Sequence, residues 1–171
     1  MKKAMMLAAL LALLLPALAL AAGPVLLVDL PQDAQMIENI EFDDGDFIQT
    51  YQLSGGANVQ LLRYQAFDMT LGDLISSEWA GCTDVREVAL DSVAAYPAHG
   101  LRFAYQAEGE DTLSVSLILV DAGEATLVFE AVFPAALGDA QIDATVQEMI
   151  GSMDVLAGDT AVSGGEEAEV G

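Results

Sequence analysis

Cys82 and His99, the one cysteine and the one histidine of the chain, could together supply a thiol nucleophile and its base. Such a pair works only where the thiolate is stabilised, at a helix N-terminus or beside cations. Cys82 instead follows the predicted C-terminal end of a helix, with Glu78 and Asp84 near it in the sequence. We therefore expect a half-buried structural Cys82, and a His99 that lies in a turn over residues 97–100.

An acidic turn early in the chain could supply oxygen ligands to Ca²⁺. A known calcium loop places its acids at alternate positions with glycine sixth. Here the acids crowd around Gly45, so a solvated turn is favoured and no metal site is expected. The weak candidate ligands are Glu41, Asp43, Asp44 and Asp46.

A second acidic turn, with Glu108, Glu110 and Asp111, has the same interpretation. Two carboxylates at a suitable distance could also act as acid and base on a sugar, but a sequence does not give their separation. A hydrolase with a carboxylate or Cys82/His99 site is therefore one alternative function. A surface that binds cations with low affinity is another.

Several catalytic classes lack their essential group. Lys2 and Lys3 are the only lysines of the chain, so the rest of it has no amine side chain for Schiff-base, P-loop or Ser-x-x-Lys chemistry. A Gly-x-Ser-x-Gly nucleophile elbow is also missing from the sequence. We expect a protein that is not an enzyme, with no catalytic residues and no cofactor.

Residues 1–22 have the three regions of an export signal. Lys2 and Lys3 are followed by an apolar run that reaches Leu15, then by Pro16 and by small residues up to Ala22. Cleavage is expected after residue 21 or 22, which would make the protein secreted or periplasmic. The alternative is an uncleaved helix that anchors the protein, because about 20 apolar residues can span a bilayer.

The remaining chain is strongly acidic. After residue 22 there are three arginines, Arg63, Arg86 and Arg102, against 27 aspartates and glutamates, a net charge of −24. Nucleic acid and anionic membrane surfaces are bound through cationic side chains, so both are disfavoured as partners, and no stable membrane insertion is expected after cleavage. An unknown protein or small ligand outside the cytoplasm remains. With a single cysteine, no internal disulfide can form.

Hydrophobic periodicity predicts an α+β domain over residues 23–156, with an antiparallel sheet of about six strands and two helices packed on it. Thr70 and Asp73 predict the capped start of one helix, which Gly81 ends. The second helix carries on its apolar face Ile142, Val146, Met149, Ile150 and Met153. Residues 157–171 are rich in Gly and Glu and predict a disordered acidic tail. The predicted strands cover 25–30, a hairpin over 38–53 that turns at 43–46, 59–67, 85–90, 101–106, 113–120 and 127–133.

This order of elements resembles the PsbP-like α/β/α sandwich family. The resemblance rests on a first strand ending at Leu30-Pro31, the hairpin, the helix, the antiparallel strands and the closing helix. It also rests on the segment Ser152-Met153-Asp154-Val155, where the family usually has an aromatic residue in place of Met153. Members are mostly small exported accessory proteins, such as photosystem subunits, bacterial lipoproteins and uncharacterised secreted proteins. The resemblance implies a non-enzymatic accessory or binding role, and it carries no binding residue over to this chain.

Overall fold

The structure is a computed structural model that describes residues 23–65 and 70–157. The expected export signal, the end of the predicted strand at 66–67 and nearly all of the expected acidic tail lie outside these residues. The helices are α1, Leu71–Glu78, and α2, Asp139–Gly151. The strands are β1 Val25–Leu27, β2 Gln35–Glu41, β3 Phe47–Gln52, β4 Asn58–Gln65, β5 Thr83–Val88, β6 Ser92–Val93, β7 Tyr96–Tyr105, β8 Leu113–Asp121, β9 Ala125–Pro134 and β10 Asp154–Leu156.

The α+β class is confirmed, but the expected number of strands is too low. The main sheet has eight strands in the order β2-β3-β4-β9-β8-β7-β5, with β6 paired to β7 beside this path, and β1 pairs with β10 in a second sheet. All of these pairings are antiparallel. With two and three residues, β6 and β10 are too short to show a period of two in the sequence.

The two helices cover opposite faces of the main sheet. Leu74 of α1 packs with Phe103 and Leu117 on one face. Ile142 of α2 packs with Phe129 on the other face, in the larger of the two apolar clusters. Residues 115–120 of β8 are buried without a break, so this part of the strand is covered on both faces.

Helix α1 starts at the predicted residue. The backbone N–H of Asp73 donates to Thr70 Oγ1 at 3.2 Å, and the backbone N–H of Thr70 donates to Asp73 Oδ2 at 2.9 Å. This reciprocal pair is a capping box. The helix ends earlier than Gly81, because the backbone N–H of Trp79 closes the last turn on the carbonyl of Ile75.

Helix α2 also ends before its predicted last residue. Met153 lies beyond the helix, in a turn where its backbone N–H donates to the carbonyl of Ile150. Strand β10 follows and pairs with β1, so that Val25 lies opposite Leu156. Neither α1 nor α2, the helices of the described residues, is long and apolar enough to cross a membrane.

Candidate functional site

The acidic turn between β2 and β3 forms as predicted, and its carboxylates serve the turn itself. Asp44 Oδ1 accepts the backbone N–H of Asp46 at 3.2 Å, and Asp46 Oδ1 accepts the backbone N–H of Gln65 at 2.6 Å. The guanidinium of Arg63, which is 3% exposed, donates to the carbonyl of Gly45 at 2.8 Å and to Asp46 at 3.4 Å. These contacts join the turn to β4.

The other carboxylates of the two acidic turns do not converge. Glu41 Oε1 accepts a hydrogen bond from Asn39, and Asp43 is exposed. Glu108, Glu110 and Asp111 are exposed in the loop between β7 and β8. Within residues 23–65 and 70–157, no three acidic, histidine or cysteine side chains form a group that could hold a metal ion.

Cys82 and His99 lie far apart along neighbouring strands. Cys82 directly precedes β5, whose first residue, Thr83, lies opposite Ala104 of β7. His99 is five positions from Ala104 along β7, so roughly 15 Å along the strand separate His99 from the residue opposite Thr83. Cys82 is half-buried, as expected, and packs at the edge of the apolar cluster around Leu74 and Phe103, which we call the α1 cluster. The structure therefore does not bring this thiol and imidazole together.

The expected turn around His99 is wrong, because residues 97–100 belong to β7. His99 is exposed and lies opposite Leu119 of β8. Gly100 serves a close approach of side chains instead of a turn. A Cβ atom on Gly100 would lie 2.9 Å from the Cβ of Val88 and 3.1 Å from the Cδ1 of Ile118.

Strand β2 is an edge of the main sheet, and all seven of its residues are exposed. No strand of the described part pairs with its outer side, so the backbone groups there are open to a partner. Ile37 is the extra residue of a bulge between Met36 and Glu38. Six large apolar residues are exposed in the described chain, and four of them lie on β2 or next to it: Met36, Ile37, Ile40 and Phe42.

The opposite edge of the sheet, β5, has a different surface. Its one exposed large apolar residue is Val85, which lies between Asp84 and Arg86. Charged side chains on an edge strand disfavour pairing with another chain. Strand β2 is less protected against such pairing, because it has glutamates but no lysine, arginine or proline.

We call residues 36–42, which include the exposed apolar side chains at this edge of the sheet, the open edge.

A row of polar side chains runs from the open edge into the sheet. Glu38, Thr50, Gln60 and Glu130 lie side by side on four neighbouring strands. Thr50 Oγ1 donates to Glu38 Oε2 at 3.2 Å and accepts from Gln60 Nε2 at 3.3 Å. Two residues along β2 from Glu38, Ile40 lies opposite Ile48 on the same face. The polar row therefore leads from the exposed open edge to buried groups inside the sheet.

Glu130 closes this row below helix α1. It is 8% exposed, and its Oε2 accepts the indole N–H of Trp79 at 3.0 Å. Burial raises the pKa of Glu130 to about 7, although the hydrogen bond from Trp79 lowers it and the charge of Glu78 adds to the rise. Burial is also the main reason why the pKa of Tyr64 is raised.

Glu130 is not among the site residues expected from the sequence. The sequence does contain a signal for this residue, because Glu130 is the one charged residue between Ala125 and Pro134 in a strand that is apolar on both sides. A charge in such a run indicates a buried group that needs a partner. The partner itself was not predictable, because Trp79 lies 51 positions away in the chain.

Comparisons with known proteins find distant similarity among solved structures. No family model matches the chain, and no curated protein matches it. Among solved structures it is similar to LpqN of Mycobacterium tuberculosis, which is described as involved in cell envelope biogenesis. The two chains are 12% identical, with a TM-score of 0.49, over 77% of this chain and 83% of that chain.

Proposed function

We propose that this protein is an exported, non-enzymatic accessory protein that binds a partner protein through its open edge. The observation that carries the proposal is an edge strand with no residue buried and with large apolar side chains on it. An extended partner segment can add a further strand to such an edge, with backbone hydrogen bonds for affinity and side-chain contacts for specificity. The resemblance of the element order to the PsbP-like family, whose members are mostly small exported accessory proteins, supports this role.

The negative charge of the chain indicates which kind of partner can bind to the open edge. Glu38, Glu41, Asp43 and Asp44 lie on or next to the open edge, and the chain carries a net charge of −22. A second copy would bring the same carboxylates against this surface, which costs free energy. A segment that alternates apolar and basic residues would pair its cations with these acids. We therefore infer a partner that presents an extended, basic and apolar segment.

The arginines of this chain do not offset the acidity of the open edge. Arg63 and Arg102 are buried, and Arg86 lies on β5 at the opposite edge of the sheet. No exposed arginine near the open edge therefore reduces the attraction of a cationic partner to it. This attraction should weaken as salt is added.

A direct test titrates the protein with a blocked peptide of about eight residues in which Val and Arg alternate. We expect amide signals of residues 35–42 to shift in NMR spectra, and affinity to fall with salt. A peptide of the same sequence with alternate backbone amides methylated should not bind, because it cannot form the strand ladder. Equal binding of the methylated peptide would contradict a strand-addition mechanism.

Two matched variants locate the contact. Ile40→Thr on the open edge should weaken peptide binding roughly threefold or more, because it removes apolar contact and keeps strand propensity. Val85→Thr makes a similar exchange at an exposed position of β5 and should leave the affinity unchanged. Equal losses in both variants would place the contact elsewhere.

The export component has its own measurement. Expressed with its full sequence, the protein should accumulate outside the cytoplasm with an N-terminus at residue 22 or 23. Retention of residues 1–22 in a membrane fraction would instead support the anchored alternative.

A further inference from the structure

Two of the three arginines meet on one face of the sheet. Arg102 of β7 lies opposite Arg86 of β5 and opposite Ser116 of β8. The Arg102 side chain is 8% exposed, whereas that of Arg86 is 59% exposed. A buried guanidinium is costly unless its N–H groups find partners. The burial of Arg102 therefore requires partners for its N–H groups.

The Arg102 guanidinium has partners on two of its nitrogens. Nε donates to Ser114 Oγ at 3.2 Å, and Nη1 forms an ion pair with Asp143 Oδ1 of helix α2. Nη2 is buried and has no hydrogen-bond partner among the described residues. Arg86 Nη2 reaches the same Asp143 oxygen only at 3.8 Å. The N–H donors of Arg102 Nη2 thus remain unused beside a second cation.

These side chains line a pocket at the start of α2. The pocket has a volume of about 380 Å³, and its lining includes Arg86, Arg102, Ser114 and Asp139. Gly138 caps this 13-residue helix without any side-chain hydrogen bond, and the first turn carries Asp139. Unpaired N–H groups and the helix dipole favour an anion at such an end.

The remaining lining limits the charge and shape of that anion. Asp84 and Asp139 also line the pocket, so a dianion would meet two carboxylates there. A carboxylate carries one charge and matches the planar fork of an arginine. Two alanines of the lining, Ala104 and Ala135, leave room for an uncharged body attached to it.

We propose that this pocket binds the carboxylate group of a small organic acid through Arg102 Nη2 and Arg86, at the N-terminus of α2. The binding site is separate from the open edge, because β5 and β2 are the two opposite edges of the main sheet. Asp143 acts as an internal competitor, since its own carboxylate already occupies Nη1 of Arg102.

Butyrate is a suitable probe, and its uncharged amide, butyramide, is the matched control. The chain has three arginines, so each side-chain Nε–H signal can be followed separately by NMR. Butyrate should shift the signals of Arg102 and Arg86, and Arg63 should serve as the internal reference. Equal shifts with butyramide would overturn the proposal, and tighter binding of inorganic phosphate would overturn the carboxylate class.

Two variants at exposed or half-exposed positions predict effects of opposite sign. Arg86→Gln should weaken butyrate binding, because one cation is lost. Asp143→Asn should tighten binding roughly fivefold, because it removes the competing carboxylate. A purely structural ion pair would give lower stability in Asp143→Asn with no gain in affinity, and that result would refute the site.

A control separates this local competition from the overall charge. Glu87→Gln changes the net charge by the same amount as Asp143→Asn, on an exposed residue of β5 that does not line this pocket. Its butyrate affinity should equal that of the unmodified protein. A gain as large as that of Asp143→Asn would contradict a specific role for Asp143.

Discussion

The indole N–H of Trp79 donates to Glu130 Oε2 at 3.0 Å, which joins the end of helix α1 to the middle of strand β9. The indole also meets the rings of Tyr105 and Phe103 edge to face, with centroid distances of 5.0 and 5.8 Å. Trp79 therefore connects a buried carboxyl group to the aromatic part of the α1 cluster.

This contact predicts a fluorescence titration. Trp79 is the one tryptophan of the chain, and it reports on the ionisation of Glu130, whose pKa burial raises to about 7. We expect tryptophan emission to change with a midpoint near pH 7. Glu130→Gln should abolish the transition, whereas Glu78→Gln should keep it and shift its midpoint slightly downward. A transition that persists in Glu130→Gln would contradict the assignment.

The same group predicts how stability depends on pH. The pKa of Glu130 is higher in the folded protein, about 7, than its ordinary value of 4.5, so the folded state holds its proton more tightly. Glu130 thus contributes stability that is fully present below about pH 4.5 and is lost as the pH rises to 7. Urea unfolding at a series of pH values should show this slope in the unmodified protein, and Glu130→Gln should lack it.

The cap of α1 gives a prediction about helix stability. Thr70→Ala removes the hydroxyl that accepts the backbone N–H of Asp73, and it should lower the free energy of unfolding by about 1 kcal/mol. Ser76→Ala is the matched control, because Ser76 is exposed and its hydroxyl donates to the carbonyl of Gly72 within the same helix. It should be neutral or slightly stabilising. Equal losses in urea unfolding would show that the cap has no special role.

The turn at Asp46 gives a prediction about calcium. Asp46→Ala removes the acceptor of the Gln65 N–H and of Arg63, so stability should fall by about 1–3 kcal/mol. Asp43→Ala, at an exposed position of the same turn, should change it by less than about 0.5 kcal/mol. Adding Ca²⁺ at about 1 mM should leave the melting temperature of the unmodified protein unchanged. A rise that Asp46→Ala abolishes would instead establish a calcium site.

Local patterns in the sequence predicted local structure well. The Thr70/Asp73 cap and the turn around Gly45 depend on neighbours in the chain, and both form where they were predicted. The prediction of a turn at residues 97–100 was wrong because proline and glycine, here Pro97 and Gly100, are common in turns. Here Gly100 is needed by Val88 and Ile118, which come from other strands.

The candidate sites depend on contacts between distant parts of the chain. An alternating pattern places Arg102 on one side of β7, but it does not say that α2 covers that side and brings Asp143 to it. The exposure of β2 likewise depends on the strand order, because a hairpin with this sequence could lie inside a sheet or at its edge. Periodicity gives the faces of a strand and not its neighbours.

Strands β1 and β10 run antiparallel side by side, with Val25 opposite Leu156. Neighbouring strands are about 4.8 Å apart, so the chain enters and leaves the folded part at nearly the same point. A force that pulls on both ends would open this pair one hydrogen bond at a time, like a zipper, before it loaded the main sheet. A few added residues could also close the ends into a ring, and the protein could then be reopened at another loop as a circular permutant.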